Sequence, residues 1–111
     1  MTTNVRISNT YPDNLTYVSV AQGAAGTTEL AAAVAGKKHK IMGGILVLDA
    51  AGTLKFTGTA DLTGAMSLAA NAGFVLPNNT LPYMQTTEGA ALSLVTVTGK
   101  ASGVIIIKTE S

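Results

Sequence analysis

The sequence predicts an all-β protein, an antiparallel sandwich or jelly roll of about eight to ten short strands with an N-terminal arm. Segments rich in Val, Ile, Thr and Tyr, which suit a pleated surface, recur at spacings of about 8 to 12 residues. Gly, Asn, Asp and Pro, which form turns, stand between these segments. No segment has the length and period of a helix longer than about two turns. The 111 residues are enough for one domain and not for two.

The N-terminal part of the chain predicts two strands, over residues 5–7 and 15–20, with turn-forming residues between them. Residues 22–26, Gln-Gly-Ala-Ala-Gly, are small and flexible, and they are the best candidate for a boundary. We therefore expect an N-terminal arm and hinge over residues 1–27 and a jelly-roll β-sandwich domain over residues 28–111.

Residues 28–34 allow either a helix or a strand. Their Glu, Leu and Ala residues have high helix propensity, and Gly36 would make a good helix C-cap. However, a segment this short forms a stable helix only with packing, and Leu30, Ala32 and Val34 alternate with the period of a strand. We predict a strand.

Residues 40–48 form the most apolar predicted strand, because both of its alternating sets of side chains are apolar. These sets are Ile41, Ile45 and Val47, and Met42, Leu46 and Leu48. This pattern indicates a strand that is covered on both faces. The core is one cover, and a neighbouring subunit is a candidate for the other.

The remaining strands follow turn signals. Residues 49–53 form a hairpin signal, since Asp and Gly tolerate the backbone of tight turns. In the next strand Leu54 and Phe56 alternate with polar residues, which is typical of one buried and one wet face. Further strands are predicted over residues 73–77, 92–97 and 104–107.

Composition and charge narrow the function classes. Hydrophobic residues make up 47% of the chain and charged residues 12%, about half the usual charged fraction of ~25%. Some apolar surface is therefore expected to meet a partner. The net charge of +1 lacks the basic excess of nucleic-acid-binding proteins, so we expect no nucleic-acid partner. We also expect no membrane partner and no secretory leader, since the longest aliphatic runs are far shorter than the roughly 20 residues of a membrane helix.

The sequence shows no recognisable catalytic, cofactor or metal set, and we expect a protein that is not an enzyme. Gly36-Lys37 lacks the first glycine and the hydroxyl of a phosphate-binding loop. The chain has no Cys, which excludes disulfides and thiolate chemistry. His39 is its one histidine, lies among lysines at 37–40, and is expected in a surface turn.

Three runs of sequence resemble small structural proteins of tailed bacteriophages. They are VAGKKHKI at residues 34–41, GTADLTGAMSLAANAGFVLP at 58–77 and EGAAL at 88–92, and the resemblance extends over roughly residues 28–107. Proteins of this group are jelly-roll subunits that trimerise on the outside of the capsid as decoration, or cement, proteins. The chain departs from the group after Pro77, where LPYMQT at residues 81–86 replaces a Trp-containing segment.

The resemblance implies a homotrimer that binds the major capsid protein on the exterior of a virion, after synthesis in the host cytoplasm. Strands that are aliphatic on both faces predict six residues for a trimer interface or, alternatively, for the subunit's own core. These residues are Ile45, Val47, Phe74, Leu76, Ile105 and Ile107. An arm that grips the capsid as an added strand or strap would make its contacts through Val5, Arg6, Ile7, Leu15 and Tyr17.

Two other functions are ranked below a decoration protein. A tail-fibre or receptor-binding knob could use the same fold, but 27 residues leave no room for a shaft ahead of the domain. A carbohydrate-binding module or small enzyme is a more distant alternative. Sugar binders usually present Trp or Tyr platforms, and this chain has three Tyr, two Phe and no Trp.

Overall fold

A computed structural model describes residues 15–79 and 81–111. The regular structure of these residues consists of nine β-strands in two antiparallel sheets that pack as a sandwich, which confirms the all-β prediction. The strand predicted over residues 5–7 and the turn after it lie outside the described residues. No helix within the described ranges could cross a membrane.

In chain order the strands are β1 (Leu15–Ala21), β2 (Thr27–Ala31), β3 (Lys38–Leu48), β4 (Gly52–Thr57), β5 (Met66–Leu68), β6 (Gly73–Leu76), β7 (Met84–Gln85), β8 (Leu92–Val97) and β9 (Ala101–Glu110). The first sheet, sheet A, has the order β1-β9-β3-β6, and β7 pairs with the other end of β3. The second sheet, sheet B, has the order β2-β8-β4-β5. All strand pairs are antiparallel.

The core lies between the two sheets and is built from alternate residues of the long strands. Phe56 is its largest fully buried side chain. Each Leu, Ile or Phe side chain that is removed from water here contributes about 1.5–3 kcal/mol. The other fully buried aliphatic side chains are Ile41, Leu46, Leu48, Leu54, Leu92, Leu94, Ile105 and Ile107.

A β-bulge in β3 reverses the alternation of that strand. The register of β3 against β9 shifts between Ile41 and Gly43, and such a bulge inserts one extra residue. Ile41 faces the core before the bulge, whereas Leu46 and Leu48 face it afterwards. This reversal is one reason why both alternating sets of β3 are apolar in the sequence.

Residues 28–34 adopt the predicted strand in their first half, where β2 spans Thr27–Ala31. Residues 32–34 are irregular. The carbonyl of Ala32 leaves the sheet and lies 2.7 Å from Nε2 of His39. The strand therefore ends where the backbone turns to meet a side chain of β3.

The expected hinge at residues 22–26 joins the two sheets. β1 pairs with β9 along its whole length, from Leu15 opposite Lys108 to Ala21 opposite Ser102, so the second half of the expected arm is a strand of the sandwich. The loop after β1 is held in place by the side chain of Gln22, whose Nε2 donates to the carbonyl of Gly26 at 3.1 Å.

Candidate functional site

The outer face of sheet A carries a continuous apolar surface. Four of the eight exposed large hydrophobic side chains among the described residues lie on it. Ile45 of β3 stands opposite Val75 of β6 on one side and Val104 of β9 on the other, and Val104 stands opposite Ser19 of β1. Ile45 is 43% exposed and Val75 63%. One row of side chains therefore crosses all four strands and is apolar on three of them.

Neighbouring rows extend this surface in both directions along the strands. Tyr17 of β1 is 59% exposed and stands opposite Ile106 of β9. Val47 is exposed and has only Ser102 and a glycine as its cross-strand neighbours. We call this surface the apolar face, and its members are Tyr17, Ile45, Val47, Val75, Val104 and Ile106.

A charged cluster borders the apolar face at one end. Lys40 and Lys108 are direct partners on β3 and β9, an arrangement in which like charges repel. The carboxylate of Glu110 offsets this repulsion, with Oε2 2.6 Å from Nζ of Lys40 and Oε1 3.5 Å from Nζ of Lys108. The hydrogen bond from Lys40, with the positive charge of Lys108, holds the pKa of Glu110 below its ordinary value.

The outer face of sheet B is polar by comparison. Its outward positions are mainly Thr, Ser, Lys and Glu, and Lys55 pairs with Asp61 at 3.1 Å. Val95 stands between Thr27 and Lys55, and Val97 lies at the strand end. Single apolar residues of this kind are normal on a protein surface, whereas a contiguous patch marks an interaction site.

The structure divides the six residues predicted for a trimer interface into three pairs. Ile45 and Val47 belong to the apolar face. Phe74 and Leu76 are half-buried and pack against the core from β6. Ile105 and Ile107 are 0% and 1% exposed within a single chain. They fill the subunit's own core, which is the alternative that the sequence left open for these residues.

Of the residues predicted to contact a capsid, Val5, Arg6 and Ile7 lie outside the described residues. Leu15 is half-buried and Tyr17 is exposed, both on β1 at the edge of sheet A.

Val75, Val104 and Ile106 were not singled out from the sequence as interface residues. In a run such as Val-Ile-Ile-Ile at residues 104–107 every position is aliphatic, so the alternation that would separate inward from outward side chains is hidden. Only the register of β9 and of β6 against their neighbours assigns these three residues to a face.

His39 is buried, which corrects the expected surface-turn position. It lies in β3 and is 2% exposed. Its Nε2 is 2.7 Å from the carbonyl oxygen of Ala32, which can only accept, so Nε2 carries a proton. Its Nδ1 is 2.8 Å from Oγ1 of Thr109 and accepts from that hydroxyl when the ring is neutral. Both ring nitrogens are thus used to join β3 to β9 and to the end of β2.

A cleft of about 510 Å³ opens beside this histidine at one end of the sandwich. It is lined by Lys38, Thr59, Ala60, Leu62, Gln85, Thr86, Thr87 and Glu88. Thr86 is the buried member, and its Oγ1 accepts a hydrogen bond from the backbone nitrogen of His39 at 3.0 Å. Among the described residues no group of three or more His, Cys, Asp or Glu side chains could hold a metal ion.

Comparisons with protein-family models, with curated proteins and with solved structures found no significant match to this chain. The two outer faces of the sandwich differ in polarity. Among them the apolar face is the candidate functional site, because its apolar residues are contiguous and the opposite face of the sandwich is polar.

Proposed function

We propose that this chain is a structural protein of a bacteriophage virion, a trimeric capsid decoration or cement protein. It binds the outside of the head and stabilises it by bridging capsid subunits. The observation that carries the proposal is the contrast between the apolar face of sheet A and the polar outer face of sheet B. The resemblance of the sequence to decoration proteins supports the choice of this class of virion protein. The apolar face offers a surface through which subunits could assemble.

The fold that we propose is a jelly roll. The strand pairs are nested along the chain: β1 with β9, β2 with β8, β3 with β6, and β4 with β5. Nested pairs arise when one long antiparallel ribbon is rolled into two sheets, which is the construction of a jelly roll. The strand orders β1-β9-β3-β6 and β2-β8-β4-β5 support this proposal.

A trimer contact through sheet A would use the whole outer face of that sheet, with the apolar face at its centre. The 32 residues of β1, β9, β3 and β6, at about 3.3 Å along each strand and about 4.8 Å between strands, give this outer face roughly 500 Å². A standard interface buries about 800 Å² on each partner, so residues around the rim of the sheet would also take part. Three copies of the face directed toward a common axis would remove Ile45 and Val75 from water, at about 25 cal/mol for each Å² of apolar area.

Contacts with the major capsid protein are proposed for the part of the chain that precedes β1. Val5, Arg6 and Ile7 belong to it, and Leu15 and Tyr17 stand where it joins the sandwich. The arm that we propose covers residues 1–14. It is shorter than the arm and hinge of residues 1–27 predicted from the sequence, because residues 15–21 are paired in sheet A. Each capsid contact stabilises the shell by binding its assembled form in preference to its free subunits.

Two experiments test the proposal. Sedimentation of the isolated protein at micromolar concentration should give a trimer, and a stable, well-folded monomer would contradict the trimer. In purified virions of the phage that encodes the protein, a label on this chain should cover the head. A label confined to the tail would reject the decoration role in favour of a fibre or receptor-binding protein.

A further inference from the structure

Within the described residues β1 is an edge strand of sheet A, and it lacks the features that usually prevent edge strands from pairing with other molecules. An edge strand exposes unpaired N–H and C=O groups, and native proteins protect it with charges, proline, bulges or short length. β1 has seven residues, Leu-Thr-Tyr-Val-Ser-Val-Ala, with no charge and no proline. It pairs with β9 without a register shift, so it is an unbulged strand.

The other sheet edges among the described residues carry such protection. β2 contains Glu29 and a register shift between Glu29 and Ala31. β5 has three residues and β7 has two. β6 has four residues and is followed by Pro77. Among the edge strands of the described residues, β1 therefore differs from the others in having none of these protective features.

The sequence of β1 is complementary to itself. When two copies run antiparallel about an axis through Val18, every pair is uncharged and each large outward side chain meets a small one. The pairs are Leu15 with Ala21, Thr16 with Val20, Tyr17 with Ser19, and Val18 with its own copy. In an isologous contact a residue meets the same patch of its partner, so a charged strand would often oppose like charges. This strand avoids that cost.

We propose that β1 pairs with β1 of a second copy of this chain across a two-fold axis at Val18, so that two copies of sheet A become continuous. The proposal rests on the proposed function and deepens it, because the second copy belongs to a neighbouring trimer. A three-fold axis at the apolar face and a two-fold axis at β1 together link copies into a net over the shell.

The size of the contact explains when it forms. A strand of seven residues is about 23 Å long, and one strand pair buries less than the roughly 1,200 Å² of a stable standard interface. The contact is therefore weak between free trimers. It becomes favourable when trimers are held side by side, because their effective concentration is then high.

A cysteine at the axis tests the pairing directly. The chain has no Cys, so Val18→Cys introduces a single thiol. Directly opposite residues of antiparallel strands have Cα atoms about 4.5–5.5 Å apart, within the range that a disulfide spans. In the matched control Ala21→Cys, the two thiols would lie about 20 Å apart, since six residues separate the position from its symmetry mate. We expect Val18→Cys to form a covalent dimer at least about ten times faster under mild oxidation.

Charge substitutions on the same strand test the register. Tyr17 and Ser19 are exposed, so both can be replaced without disturbing the core. In Tyr17→Lys/Ser19→Lys like charges oppose each other across the axis, whereas in Tyr17→Glu/Ser19→Lys opposite charges do. Added to Val18→Cys, the first pair should slow cross-linking and the second should retain it at low salt. Equal rates in the two backgrounds would overturn the proposal.

The outcomes separate this inference from the proposed function. If Val18→Cys cross-links no faster than Ala21→Cys while sedimentation still gives a trimer, the two-fold contact is rejected and the trimer stands. The edge of β1 would then belong to residues 1–14 or to another protein. If Val18→Cys cross-links and sedimentation gives no trimer, the two-fold contact stands and the proposed trimer is rejected.

Discussion

The side-chain oxygen of Gln22 accepts a hydrogen bond from the backbone nitrogen of Ala101 at 2.9 Å, across 79 residues of sequence. The same oxygen accepts from the hydroxyl of Thr96 at 2.8 Å, and the amide nitrogen donates to Gly26 and Thr28. One half-buried amide therefore ties the connection between β1 and β2 to β8 and to the start of β9. The turn that connects the two sheets owes its position to this side chain.

Replacing Gln22 by Ala should lower the free energy of unfolding by about 2 kcal/mol, because it removes the side-chain acceptor of the Ala101 N–H and the nearer of the two acceptors of the buried Thr96 hydroxyl. Urea denaturation measures the change. Gln85→Ala is the control, since Gln85 is exposed, and it should change the free energy by no more than about 0.5 kcal/mol. Equal effects of the two substitutions would show that the Gln22 amide is not structural.

The sequence predicted the strands far better than the surfaces they form. Leu54 and Phe56 alternate with polar residues, which predicts that they face the core. In β4 both side chains are fully buried, and the residues between and beside them are not. The bulge between Ile41 and Gly43 depends on pairing with β9, so no local pattern indicates where the inward set changes. The hydrogen-bond partners of the His39 ring lie 7 and 70 residues away, so they cannot be identified from the neighbouring sequence, where the lysines indicate an exposed turn.

The residues of the apolar face could not be identified from the sequence for the same reason. Ile45 and Val47 are predicted interface residues because both alternating sets of side chains on their strand are apolar. The same argument predicts Ile105 as an interface residue, and Ile105 lies in the core. Which aliphatic residue faces outward depends on register, and register is a property of several strands together.

Gly103→Ala should destabilise the fold strongly. Gly103 has a φ of +146°, a backbone conformation that residues with a side chain rarely adopt. A Cβ at this position would also collide with the carbonyl oxygen of Ile45 on β3, which pairs closely with β9 here. The loss should be at least about 3 kcal/mol, since both backbone strain and a displaced strand contribute.

The matched control is Gly23→Ala, in the loop after β1, where a Cβ would meet nothing within 4 Å. This substitution should be neutral or stabilising by up to about 1 kcal/mol, because it restricts the unfolded chain. Thermal unfolding of both variants gives the comparison. A Gly103→Ala variant as stable as Gly23→Ala would contradict the close approach of β3 and β9.

The ion pairs of Glu110 should make stability depend on pH. The hydrogen bond from Lys40, aided by Lys108, lowers the pKa of Glu110 in the folded chain, so the folded state binds this proton less tightly than the unfolded state. The resulting stabilisation is present above the unfolded pKa and is lost as the pH falls through the folded pKa. Denaturation of the wild type and of Glu110→Gln should therefore differ at pH 7 and converge in acid. A difference that does not change with pH would contradict this assignment.

Charges on the apolar face should dissociate the proposed trimer without unfolding the chain. Ile45→Asp/Val75→Asp places two carboxylates on cross-strand partners that are already 43% and 63% exposed, so the isolated subunit loses little buried area. In an interface the same carboxylates would be desolvated without partners, a cost of several kcal/mol.

Sedimentation should thus change from trimer to monomer in this variant while thermal unfolding of the subunit remains cooperative. Val97→Asp is the control, since Val97 is 59% exposed on sheet B, and it should remain trimeric. If the double variant stays trimeric, the apolar face is not the subunit interface. If Val97→Asp dissociates instead, the interface lies on sheet B.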